Sequence, residues 1–185
     1  NLFTRKMSKL VLLVLLAVQA ARTEDNAVKT LMDDFWEWKI QEYPEFATMI
    51  GLTSHHMDKL NLDIFQQRKE TCEEFLRRAE ALESSSLTNQ DLLNVNILKH
   101  HLNTYIQNMR FIKFYTPLSI LEGPQFTLKN IIENFVILKN KEDYENLLKR
   151  YDEVPRQVDE IMSLMNGNIE NGHMPSNWSI VYMTK

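Results

Sequence analysis

The chain has little with which to make turns or cross-links. Its 185 residues include four glycines, five prolines and a single cysteine, Cys72. So few Gly and Pro disfavour a turn-rich all-β fold and leave long stretches free for helices. One cysteine excludes an intrachain disulfide, so a secreted form must be held by its core alone. Cys72 falls on the apolar stripe of a predicted helix, which makes it a buried, inert thiol. A nucleophilic thiol needs a paired base, and nothing in the sequence places a histidine beside it. Other absences concern chemistry. The sequence contains no His-Glu-x-x-His, no Gly-x-Ser-x-Gly, no phosphate-cradling glycine loop and no dinucleotide fingerprint. Basic residues are outnumbered, 21 Lys and Arg against 25 Asp and Glu, for a net charge of -4. Without residues 1–20, which hold Arg5, Lys6 and Lys9 and no acid, the balance is 18 against 25, or -7. A nucleic-acid binder carries a basic face, so that class is set aside.

What is present suits one helical domain with a real core: 44% apolar and 25% charged residues are ordinary for a globular chain of this length. The first thirty residues read as targeting. Lys6 and Lys9 flank Met7, and Leu10 to Val18 is an unbroken apolar run. That run is too short to span a bilayer as a helix but suits a signal-peptide core, with cleavage after Ala20. Residues 1–20 are therefore assigned to a signal peptide, with residues 1–6 upstream of the true start. The protein is expected in the secretory lumen or outside the cell, without a stable membrane span. A cytosolic amphipathic N-terminus is the rival reading, but no polar residue interrupts the run.

The hydrophobic periodicity predicts an all-α fold, an antiparallel array of about six helices with an irregular Pro/Gly loop near 114–126. The first helix, about Glu24 to Glu42, has Val28, Leu31, Met32 and Phe35 on one face. Tyr43-Pro44 stops it, a compact apolar segment runs from Phe46 to Ile50, and Gly51 permits a turn. Asn61 caps a helix from Leu62 to about Glu83 with Phe65, Cys72, Phe75, Leu76, Ala79 and Leu82 inward. After Ser84-Ser85-Ser86, Thr88 and Asp91 resemble a capping box. It opens a helix buried through Leu92, Val95, Leu98, Leu102, Tyr105, Ile106 and Met109. Further helices are expected at about Leu128 to Leu138 and, capped by Asn140, at Lys141 to Glu153 with Tyr144, Leu147, Leu148 and Tyr151 inward. Pro155 starts the last helix as its first residue, with Val158, Ile161, Met162, Met165 and Ile169 as its stripe. Gly172 and Pro175 end it. Ser176 to Met183 is β-like and apolar.

Candidate chemistry is thin. His55-His56 and His100-His101 are adjacent pairs, and adjacent helical side chains diverge by about 100°, so neither pair chelates a metal from one helix. They read as solvated or satisfied histidines. Glu170-x-x-His173 has the spacing of carboxylate-bridged di-metal bundles, but it occurs once and has Gly172 inside it. Asp33, Asp34 and Glu37 read as the wet face of the first helix. Asn177-Trp178-Ser179 is a glycosylation acceptor pattern, meaningful only in a secreted chain. No residue is assigned as catalytic, cofactor-binding or metal-binding.

Phe35-Trp36, Tyr43-Pro44-Glu45-Phe46-Ala47-Thr48 and Ile50-Gly51-Leu52 resemble the opening signature of the domain-of-unknown-function 885 family. The resemblance continues in order to about Val181. It runs through Leu76-Arg77-Arg78, Leu102-Asn103-Thr104-Tyr105, Glu122-Gly123-Pro124-Gln125, Asp143-Tyr144-Glu145, Leu148-Lys149-Arg150 and Pro155-Arg156-Gln157-Val158-Asp159. It marks Trp36, Pro44, Glu45, Phe46, Ala47, Thr48, Gly51, Gly123 and Pro124 as structural signature positions. Two departures stand out: His55 to Leu60 replace a Tyr-Asp-Asp-Arg-Leu type run, and His100-His101 replace an acidic pair. Family members are alpha-helical, and the longer ones look like zinc metallopeptidases through a His-Glu motif and a Pro-Gly-His-His segment, neither present in this sequence. The resemblance therefore implies the N-terminal helical part of a secreted metallopeptidase-like protein, residues 21–185, continuing beyond Lys185. Zinc and a peptide substrate would belong to the whole protein, and this part would lack the catalytic motif. The rival reading is a short secreted helical binding module without enzymatic activity.

Overall fold

The computed structural model describes residues 27–52, 54–82, 87–119 and 123–174. The signal peptide, the Ser84 to Ser86 break, Pro175 and the segment from Ser176 with Asn177 lie outside the described residues. Among these there are six α-helices, one 3-10 helix and no strand, as the all-α reading expects. The helices are α1 (27–42), α2 (Pro44–Met49), α3 (Leu62–Glu80), α4 (Asn89–Asn108), α5 (Pro124–Asn134) and α6 (Lys141–Glu170), with the 3-10 turn Met109–Phe114 after α4. They fall into two compact units: Glu70–Ile106 with α1 up to Trp36, and Glu37–Lys69 with everything from Gln107 on.

The first unit is built as its periodicity predicts. Val28 and Leu31 of α1, Cys72, Phe75 and Ala79 of α3, and Val95, Leu98 and Leu102 of α4 are all buried. Each such large side chain contributes about 1.5–3 kcal/mol of transfer free energy. Phe35 meets Phe75 edge-on at 5.5 Å between ring centres. Leu76, Leu92, Tyr105 and Ile106 are half-buried, flanking that core. Thr88 accepts the Asp91 backbone N–H at 3.1 Å, while the Asp91 carboxylate takes the Thr88 hydroxyl at 2.5 Å. That is the N-cap half of the expected box. Two acids of the wet face are paired: Asp33 with Lys29, and Asp34 with Arg78 at 2.5 Å.

The second unit departs from expectation in five places. The compact apolar segment Phe46 to Ile50 is itself largely helical: α1 stops before Tyr43-Pro44 as expected, but Pro44 then starts α2, because its fixed φ suits a first helical residue. Met109 leaves α4 for the 3-10 turn, and, in the first unit, the Asn61-capped helix ends at Glu80 rather than Glu83. The same proline effect moves α5. It begins at Pro124 rather than Leu128 and is over by Asn134, so the irregular loop is shorter than 114–126. Lys141 to Glu170 is one helix, not two, with Pro155 inside it. A proline in a helix interior removes one hydrogen bond and costs about 3 kcal/mol or more. Here the side chains on both sides of it are fastened to another segment, as described below.

The last departure is the face that α6 buries. Tyr144 (55% exposed), Leu148 (63%), Val158 (46%), Met162 (52%) and Ile169 (51%) point outward, as does Tyr151, against the inward stripe that periodicity predicts. The buried positions are Arg150, Gln157, Leu164 and Asn168, together with Ile161, which the predicted stripe did contain. Polar residues thus occupy three of these five positions, and hydrophobicity counting misses them. The ends of α2 and α6 follow one rule. Gly51 (φ +88°) and Gly172 (φ +74°) sit just past the last helical turn. The residue after each glycine donates back to the third carbonyl from the end: Leu52 to Ala47 at 2.9 Å, His173 to Asn168 at 2.8 Å. This left-handed cap needs glycine.

Candidate functional site

The buried polar residues of the second unit gather where residues 54–61 run beside α6. This segment lies outside any helix or strand, so its backbone groups need other partners, and side chains of α6 supply them. Arg150, Glu153, Gln157 and Glu160 lie at i, i+3, i+7 and i+10, one edge of a helix. Arg150 Nη2 donates to the Ser54 carbonyl and, at 2.6 Å, to the Thr48 hydroxyl of α2. Glu153 accepts the Met57 N–H at 3.0 Å. Gln157 donates to the Asp58 carbonyl at 3.0 Å. Glu160 accepts the Leu60 N–H at 2.7 Å and the Asn61 side-chain amide at 2.8 Å. Arg156 closes the set, bridging Glu153 and Glu160 and donating to the Met57 carbonyl. These contacts hold α6 on both sides of Pro155.

At the centre stand two carboxyl groups. The Glu45 N–H donates to Asp58 Oδ1 at 3.0 Å, and the Asp58 N–H donates to Glu45 Oε1 at 3.2 Å. Glu45 is in the first turn of α2, so Asp58 also caps that helix. Gln157 Nε2 donates to Glu45 Oε1 at 2.8 Å. Burial raises the Asp58 pKa from 3.8 to about 7, with the neighbouring Glu45 charge pushing the same way. Asp58 thus changes charge near neutrality. Glu153 goes the other way. Partial burial pushes it up, but the Met57 N–H, His56 and Arg156 outweigh this and hold it at about 2. Arg68, 4% exposed, pairs with Glu42 at 2.8 Å and lies over the Tyr43 ring at 4.4 Å.

Two cavities flank the network. One of about 350 Å³ is bordered by Glu45, Asp58, Tyr115, Thr116, Gly123 and Thr127. Another of about 260 Å³ has Arg150 in its wall together with Thr48, Leu52, Ile137 and Leu147. Arg150 is 1% exposed, and its Nη1 is buried without a hydrogen-bond partner. Burial pushes its guanidinium pKa down, and Glu45, Asp58 and Glu153 pull it back. Chemically, the arrangement can hold and release a proton at Asp58. Among the described residues no group of three or more His, Cys, Asp or Glu side chains is placed to hold a metal ion.

The residues marked by sequence are distributed unevenly. Pro44, Glu45, Ala47 and Thr48 are buried in this network, with Phe46 half-buried at its edge. Trp36 is 47% exposed. Gly123 (φ +145°) caps α5, and a Cβ there would stand 2.8 Å from the Pro117 carbonyl oxygen. His56 is brought to Glu153, and His55 stacks against it at 4.1 Å. His101 leans on Phe35, and His173 on Phe114. Cys72 is buried, as its place on the apolar stripe predicts. Sequence reading gave Asp58, Arg68, Arg150 and Gln157 no role, although Arg150 and Gln157 lie in segments that carry the family resemblance. The usable signal for the α6 pair was polar residues repeating at helical spacing.

No helix among the described residues is long and apolar enough to cross a membrane. No curated protein and no solved structure matches the chain. The model of one family, described as bacterial protein of unknown function (DUF885), matches residues 44–185, from the proline that starts α2 through the whole of the polar network. The chain belongs to that family.

Proposed function

We propose that residues 21–185 are the N-terminal helical part of a secreted metallopeptidase-like protein and contribute fold rather than chemistry to it. One observation carries this reading. The buried polar side chains direct their hydrogen bonds to nearby backbone and to one another: Arg150 to Ser54 and Thr48, Gln157 to Asp58 and Glu45. A hydrolytic site would instead pair a base with a nucleophile or an activated water. The histidine motifs on which the zinc resemblance rests are missing from the sequence. Zinc and the peptide substrate would therefore be held by other parts of a longer protein.

The test is a peptidase assay of the purified full chain with quenched fluorescent peptides and added zinc. No cleavage is expected. Zinc-dependent turnover that His173→Ala abolishes would overturn the reading. Sequencing the transcript past the Lys185 codon is the complementary experiment. A continuing frame that encodes a His-Glu motif and a Pro-Gly-His-His segment supports the reading, and an immediate stop codon removes its zinc component. A second reading, a secreted helical binding module, is favoured by the exposed apolar face of α6.

A further inference from the structure

The outer face of α6 carries a heptad pattern. Starting at Tyr144 and stepping alternately four and three residues gives Leu148, Tyr151, Pro155, Val158, Met162, Met165 and Ile169, all apolar. Seven of these eight positions are exposed, and Met165 is half-buried. The stripe runs about 38 Å along the helix at 1.5 Å per residue. Apolar residues on a strict four-three alternation are the knob positions of helix-on-helix packing, and a contiguous exposed stripe of this kind marks an interaction site. The opposite face is already committed, through Arg150, Gln157, Ile161 and Leu164, to its own unit.

Charge selects the occupant. The residue after every other stripe position is acidic over three turns of the pattern: Glu145, Asp152 and Asp159, all exposed. Of these, Glu145 meets Lys141 at 3.3 Å in an exposed pair that is weak and readily exchanged. Two copies packed antiparallel along this face would set acid against acid. Packed parallel, the acids would face Leu147, Val154 and Ile161, which offer no counter-charge. We infer that this face docks a helical partner, an amphipathic helix whose apolar stripe is flanked by Lys or Arg. The inference stands on α6 alone and does not depend on the metallopeptidase reading.

The test uses the full chain and two labelled synthetic helices of four heptads, about 28 residues each. Both carry Leu at the two knob positions; one has Lys and the other Glu at both flanking positions. Like charges keep each peptide from pairing with itself. In fluorescence anisotropy at physiological salt, the Lys helix is expected to bind one-to-one and the Glu helix at least about tenfold more weakly. Leu148→Glu with Met162→Glu should abolish binding with unchanged circular dichroism, since both side chains are exposed. Asp152→Lys with Asp159→Lys should reverse the preference, which keeps the test decisive even if the first pair disturbs folding. Equal binding of both peptides, or of neither, overturns the proposal. So does a chain that sediments as a dimer dissociated by the Leu148 and Met162 substitutions, because the occupant is then a second copy. Binding that appears only after residues 1–26 or 175–185 are removed also overturns it, because the chain then covers its own face.

Discussion

Asp58 is a residue whose chemistry its surroundings change. Its folded pKa of about 7 lies above the ordinary 3.8, first because it is buried and then because Glu45 is beside it. An acid with a raised folded pKa lends stability that is complete below its unfolded pKa and disappears as pH rises through the folded one. Over pH 4 to 7 the ionisation of Asp58 therefore costs stability, on the order of a few kcal/mol. Asp58→Asn keeps the oxygen that accepts the Glu45 N–H and removes the ionisation. Its melting temperature should fall less than the wild type's between pH 5 and 8. Parallel pH profiles would show that Asp58 is not the group responsible. Glu153 acts in the opposite sense: its contribution is present above pH 4.5 and lost as pH falls toward 2. Gly123 is the second decisive residue. Gly123→Ala puts a Cβ against the Pro117 carbonyl at a φ that side chains avoid, and it should cost about 1–3 kcal/mol in chemical denaturation. A neutral Gly123→Ala would mean the α5 cap reorganises freely.

The element that matters is α6, whose energetics invert the usual ranking. Gln157→Leu leaves the Glu45 carboxylate and the Asp58 carbonyl without their shared donor, each a buried group worth about 1–3 kcal/mol to satisfy. Val158→Ala, one residue on, removes apolar atoms that are already in water and should stay within about 0.5 kcal/mol. Urea denaturation of the two variants compares them directly, and a larger loss in Val158→Ala would place the buried face wrongly. The start of the helix is equally local. Asn140 accepts the Asp143 N–H at 3.1 Å, and Asp143 accepts the Asn140 N–H at 3.1 Å. Asn140→Ala should cost about 1 kcal/mol. Asn140 as a cap was legible in the sequence because a cap is made by neighbours three residues apart. The continuity of α6 through Pro155 was not, because the ties that compensate the proline come from residues about a hundred positions away.

For the whole molecule, Cys72 is a built-in reporter. It is 3% exposed, in the core with Phe75 and Ala79 of the same helix. Thiol-specific labelling should be negligible under native conditions and should rise in step with the unfolding of its unit in denaturant. Rapid native labelling would show that this core opens locally. Reducing agents should leave the melting temperature unchanged, since there is no disulfide to break.

The sequence by itself determined that the described chain is helical, where α3, α4 and α6 start, and that Gly51 and Gly172 turn it. It also determined that Cys72 is buried and that the chain belongs among proteins sharing the Pro44 to Gly51 signature. All of these are set by short-range sterics, caps and apolar spacing, which act within a few residues. Only the tertiary structure decided which side of α6 faces inward. Apolar counting pointed to Tyr144, Leu148, Val158 and Met162, yet the backbone of residues 54–61 needed polar partners, and Arg150, Glu153, Gln157 and Glu160 were on the side that reached it. The near-neutral titration of Asp58 has the same origin. A carboxyl group's pKa depends on what surrounds it in space, and this one is buried against the start of α2, where Glu45 stands thirteen residues back in the chain.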